Sequence, residues 1–201
     1  MTLLSASPVA VFSRLDASPR RMAVGVGAMV LMSGAYTLVC VFLALLHGVP
    51  WMPWLRIPDE TYYFWTSFIY APYLLLGWVL AAALLQIFAS LLGGTGSFEA
   101  TLAVSGVATA VATLGTLVPD LVVTTVQMAG WMDYGAWLAS VREGGVWGWI
   151  TWAYLVLYLV LFCILYPATV MAVHRLVLAK AAVAGVAAFV LYQAFLFLVI
   201  R

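Results

Sequence analysis

Apolar residues fill long, uninterrupted stretches of this chain, and polar ones gather in short breaks between them. The runs 22–47, 61–92, 144–173 and 181–200 contain no Asp, Glu, Lys or Arg. A helix advances about 1.5 Å per residue, so about 20 such residues cross a hydrocarbon core. Each of the four runs reaches that length. A fifth, starting at Phe98 and ending near Val118, reaches it once the residues just after the 91–97 break are included. The pattern predicts an all-α membrane protein with five transmembrane helices at about 22–47, 66–92, 98–118, 147–173 and 181–200, forming one membrane domain over 1–201. Residues 1–21 read as a short cytosolic or interfacial segment, and 119–146 as an outer interfacial segment. The first run exceeds the ~7–15 apolar residues of a signal peptide, which predicts that it stays in the mature protein.

Composition sharpens this picture. The chain is 67% hydrophobic and 7% charged, against about 25% charged in a soluble domain. A net charge of +1 gives nucleic acid no electrostatic footing as a partner. With the N-terminus inside, Arg14, Arg20, Arg21, Arg175 and Lys180 share one side, and Arg56, Arg142 and Arg201 the other. Five bases against three predict an N-in, C-out topology. Cys40 and Cys163 fall in apolar runs at different depths, so no disulfide is expected. His47 and His174 stand alone, which leaves no metal-type cluster. No cofactor is expected.

Tryptophan is distributed unevenly. Trp51, Trp54, Trp65, Trp131, Trp137, Trp147, Trp149 and Trp152 fall on the outer side, and Trp78 lies within a span. A ring with an apolar body and one N–H suits the headgroup level, which predicts an interfacial belt. The alternative is an aromatic vestibule for an amphipathic ligand, rimmed by the outer acids. Pro50, Pro53 and Pro58 predict an extended run along that interface. The segment "LVVTTVQMAGWMDYGAWLASVREGG" predicts a short interfacial helix ending at Gly144-Gly145.

Within the spans the polar residues are small. Thr101, Ser105, Thr109 and Thr113 recur every four residues, which places their hydroxyls on one stripe of the third helix. Such a stripe serves close helix packing, or alternatively a polar path for a solute. Asp120 lies 22 residues after Phe98, about 33 Å along a helix, which predicts a position at the outer interface beside Pro119. On that reading no carboxylate or base is buried, and an ion-coupled transporter has little to work with. Pro72 and Pro167 predict kinks in the second and fourth spans. There is no His-Glu-x-x-His, Walker or Gly-x-Ser-x-Gly sequence. A non-enzymatic protein is expected, with Ser97 and His174 as the only candidate nucleophile–base pair.

The break "LLGGTGSFEATLAVSG" at 91–106 holds four glycines and the only acid between Glu60 and Asp120. A phosphate loop needs a Lys after its glycines, whereas Glu99 carries the opposite charge. A turn between spans fits better. Gly93-Gly94 ends one helix, Ser97 caps the next, and Glu99 sits in its first turn. With Leu92, Gly93, Gly94, Gly96, Ser97 and Phe98, this stretch resembles the turn between the second and third spans of bacterial Yip-family membrane proteins, relatives of the eukaryotic Ypt/Rab-interacting proteins. "VHRLVLAKA" is similar to the family's link between the fourth and fifth spans at His174, Lys180 and Ala181. "SPVAVFSRL" is similar to its N-terminal Pro…Phe segment at Pro8 and Phe12. The acidic-Tyr-Gly-Pro motif of the eukaryotic members is absent, so Rab binding is not carried over.

The resemblance implies a multi-pass protein of a bacterial cytoplasmic (inner) membrane, of interaction, scaffolding or membrane-organising type. The alternative is a transporter or binder of a small hydrophobic or amphipathic molecule. Both better matches fall on the inner face. There Gly93, Gly94, Gly96, Ser97, Phe98, Glu99, His174, Arg175 and Lys180 form a candidate patch for a protein partner or lipid headgroup, with Glu99 expected to pair with Arg175 or Lys180. Membrane lipids are the expected partners elsewhere.

Overall fold

The structure, a computed structural model, describes residues 7–50 and 55–200, with side chains placed through residue 195. Among the described residues there are seven α-helices and no strand: α1 (Pro8–Asp16), α2 (Arg21–Leu45), α3 (Tyr62–Leu91), α4 (Phe98–Met128), α5 (Tyr134–Arg142), α6 (Val146–His174) and α7 (Leu178–Ile200). Helices α2, α3, α4, α6 and α7 are long and apolar enough to cross a membrane. The protein is therefore an all-α, multi-pass membrane protein with five candidate spans.

One end of the bundle carries α1, the loop between α3 and α4, and the link between α6 and α7. The other carries α5 and the segments flanking it. Helix α1 packs against the bundle through one aromatic residue. Ser7 caps it by accepting the Ala10 N–H at 3.3 Å, and Phe12 is buried in a core built mainly from α4, α6 and α7.

The helices approach closely where side chains are smallest. A Cβ on Gly25 of α2 would run into the Ala103 backbone of α4, and one on Gly106 would lie 2.9 Å from the Gly25 carbonyl. Gly185 of α7 faces Pro167 of α6, where a Cβ would lie 2.5 Å from the proline nitrogen. Without a strong hydrophobic drive between helices in lipid, such small-residue crossings supply the packing. Trp78 closes the α3–α4 contact, its indole N–H donating to the Leu102 carbonyl at 3.0 Å.

Helix α4 departs from expectation. Its expected end at residue 118 gives way to a helix that continues through Pro119 and Asp120 to Met128. Pro119 removes the main-chain donor to Gly115, yet packed neighbours allow a proline within a membrane helix. With 31 residues, α4 is about 46 Å long. Asp120 therefore sits eight residues, about 12 Å, before its end, half-buried between the helices. The third candidate span thus includes a carboxylate that an end at residue 118 would have left outside it. Helix α5 follows, capped by Asp133, which accepts the Ala136 N–H at 2.7 Å, and Gly144 turns the chain at φ +76°. Tyr134 ties α5 down by donating to the Val49 carbonyl at 2.5 Å. Cys40 and Cys163 are both free thiols.

Candidate functional site

The Gly-loop end brings together the residues of the expected inner patch. Gly93, at φ +92°, takes the left-handed turn that glycine adopts at least cost. Gly94 and Gly96 let the loop lie on the end of α6: a Cβ on Gly94 would be 2.8 Å from that of His174, and one on Gly96 2.7 Å from the Val173 carbonyl. Ser97 caps α4 by accepting the Ala100 N–H at 3.2 Å.

His174 is 2% exposed and fully engaged. The Gly96 N–H, which can only donate, bonds its Nδ1 at 3.2 Å. The ring proton is therefore assigned to Nε2, which donates to Thr101 Oγ1 at 2.9 Å. Thr101 in turn donates to Gln86 Oε1 at 2.7 Å, and Gln86 Nε2 donates to the Gly96 carbonyl at 3.0 Å. Four hydrogen bonds thus run head to tail around a closed ring through three helices and the loop. Neither ring nitrogen of His174 is left for Ser97, so the candidate nucleophile–base pair is not assembled.

The charges at this end differ from expectation. Glu99 meets Arg21 at 3.5 Å, not Arg175 or Lys180, while Arg21 also holds Asp16 at 3.2 Å. The reason is the corner between α1 and α2, which brings Asp16 and Arg21 to the start of α4. Lys180 donates to the Leu92 carbonyl at 3.0 Å, capping α3. Arg175 adopts the left-handed conformation that ends α6, and Phe98 is exposed.

The described outer tryptophans differ in exposure. Trp51 and Trp54 lie outside the described residues. Trp65, Trp131, Trp149 and Trp152 are exposed, Trp147 is half-buried, and Trp137 is buried beside Tyr134. Their scatter fits surface positions better than the lining of one vestibule.

A different aromatic set does converge. Between α2, α3, α4, α6 and α7 lies a cavity of about 330 Å³, at the lower end of the ~300–1,000 Å³ typical of small-molecule sites. Helix α3 contributes Tyr62, Tyr63, Tyr70 and Tyr73, and α6 contributes Tyr154, Tyr158 and Phe162. Tyr36 enters from α2, and Tyr192 with Gln193 from α7. Helix α4 presents Thr109, Thr113, Thr116 and Asp120, so the outer half of the hydroxyl stripe lines the cavity. Eight of the ten tyrosines line this one space.

Its polar atoms are partly tied. Tyr36 is hydrogen-bonded to Thr116, and Tyr158 accepts from Gln193 at 3.1 Å. Thr109 and Tyr166 meet at 3.1 Å. Asp120 accepts from Tyr154 at 3.3 Å, and among the described residues no Lys or Arg forms an ion pair with it. An adjoining cavity of about 140 Å³ shares Tyr36, Tyr63, Tyr70, Asp120 and Tyr154, and adds Gln127. Both amide atoms of Gln127 are buried without a partner. The arrangement offers a carboxylate, an amide and several phenols to a guest with an apolar body. Among the described residues no three of His, Cys, Asp and Glu come together as metal ligands.

Sequence reading passed over these tyrosines because phenols count as apolar in composition. The available signal was spacing: Tyr62, Tyr70 and Tyr73 on α3, and Tyr154, Tyr158, Phe162 and Tyr166 on α6, each follow one helical face. Comparison with family models, curated proteins and solved structures gives no match. The Yip-like resemblance rests on its three sequence pieces.

Proposed function

We propose that this membrane protein binds, and as a transporter or receptor handles, a small amphipathic molecule in the tyrosine-lined cavity. The carrying observation is the cavity itself, with the Asp120 carboxylate in its wall. An ionisable group within a span is costly and marks a functional position by default. The interaction or scaffolding role drew its support from the Yip-like resemblance and from the expected lack of any such group. At the other end the His174 ring uses its hydrogen-bonding capacity internally, which favours a structural part for that region. The reading is non-enzymatic, since His174 is committed to Gly96 and Thr101.

The test uses three probes sharing a phenylpropyl body: 3-phenylpropanol, (3-phenylpropyl)trimethylammonium and 4-phenylbutyrate. Protein in nanodiscs is titrated with each, with empty nanodiscs as the blank. At least one probe is expected to saturate the protein, and the cavity-filling variants Thr113→Phe and Leu155→Trp are expected to abolish that binding. Saturation by none of the three, or binding unchanged in both folded variants, contradicts the proposal.

A further inference from the structure

The cavity's charge pattern narrows what it can hold. Among the described residues Asp120 is the one carboxylate lining either cavity, and no Lys or Arg lines them. Both ion pairs among the described residues lie at the opposite end, on Arg21. An anionic guest would therefore face a like charge without compensation, and a neutral one would leave the carboxylate without a counter-charge. Removing water from a charge is unfavourable unless an opposite charge replaces it.

The surrounding surface has the same preference. Tyrosine faces carry the negative lobe of the ring quadrupole, which attracts ammonium groups, and aromatic cages are the recurrent solution for quaternary amines. Tyr36 and Tyr70 stack at 4.9 Å between centroids, and together with Tyr63 and Tyr154 they line both cavities alongside Asp120. Gln127 supplies the second, independent observation. It is 5% exposed, with both amide atoms unpartnered. It lies seven residues after Asp120, two helical turns or about 10 Å along the same face.

Resting on the reading that this cavity is a binding site, we propose that its ligand is an organic monocation, an amine or quaternary ammonium. Asp120 is its counter-charge, the tyrosine faces surround its substituents, and Gln127 meets a hydrogen-bonding group further along it.

The same three probes decide the matter. Asp120→Asn preserves the side-chain shape and the acceptor for Tyr154, so it should fold. Wild-type protein is expected to bind the trimethylammonium probe at least tenfold more tightly than the alcohol or the carboxylate. Asp120→Asn should erase that preference by weakening the cation alone, while Asp120→Glu retains part of it. Equal binding of cation and alcohol, tighter binding of the carboxylate, or a cation affinity indifferent to Asp120→Asn overturns the cation assignment and leaves the cavity as a binding site. Failure of all three probes to bind overturns both.

Discussion

At the Gly-loop end, Gly96, His174, Thr101 and Gln86 consume one another's donors and acceptors. At the tyrosine end, Asp120 has a single phenol partner and Gln127 has none. The same helix, α4, runs through both: Thr101 and Ser105 are fully buried in the first region, and Thr113 and Asp120 line a void in the second. Polar groups within a span serve packing when they satisfy each other, and serve binding when they are left turned into open space. Residue type does not distinguish the two cases, because both regions use Thr hydroxyls on one stripe.

Substitutions should separate the ends by size and sign of effect. The largest is Gly96→Ala, whose Cβ would meet Val173 backbone and side chain. Overpacking against an immobile backbone costs about 3 kcal/mol or more, read as lost stability in thermal or detergent unfolding. A tolerated alanine there would mean that the loop is not seated on α6. His174→Leu comes next, expected to lose about 2–3 kcal/mol because the Gly96 N–H and the Thr101 hydroxyl are left without their partner. A loss below about 0.5 kcal/mol would dissolve the hydrogen-bonded ring as a stabilising unit.

Opposite in sign is Gln127→Leu. Replacing an amide whose two atoms lack partners should raise stability by about 1 kcal/mol, and destabilisation would show that Gln127 already has an internal role. Smallest is Glu99→Gln. Its pair with Arg21 spans 3.5 Å, with the Glu99 side chain 62% exposed, so the change should stay within about 0.5 kcal/mol.

The Gly-loop end was legible in the sequence because its determinants are local. Gly93 and Ser97 act within one turn of their own positions, and helix-end chemistry is readable from neighbours in the chain, whereas the partner of Glu99, Arg21, is 78 residues away. The closing of that end by His174 was not, since Gly96 and His174 are 78 residues apart and nothing in a link residue announces burial. The continuation of α4 past Asp120 was illegible for a related reason. A proline followed by a carboxylate reads as the end of a span in any hydropathy window. What keeps the helix going is the surrounding bundle, with the Tyr154 phenol meeting the carboxylate. The tyrosines were illegible together though each was visible alone. Their faces on α3 and α6 could be traced by spacing, but convergence of five helices on one space is a property of the packing.

The contrast between the ends is tested most directly by thiol accessibility along α4. In a Cys40→Ala, Cys163→Ala background, Thr101→Cys and Thr113→Cys are exposed to the cationic reagent (2-trimethylammonioethyl) methanethiosulfonate. Thr113→Cys should react, and (3-phenylpropyl)trimethylammonium should protect it, while Thr101→Cys stays unmodified in the folded protein. Modification of Thr101→Cys together with an inert Thr113→Cys would contradict the assignment of the closed and the receptive end.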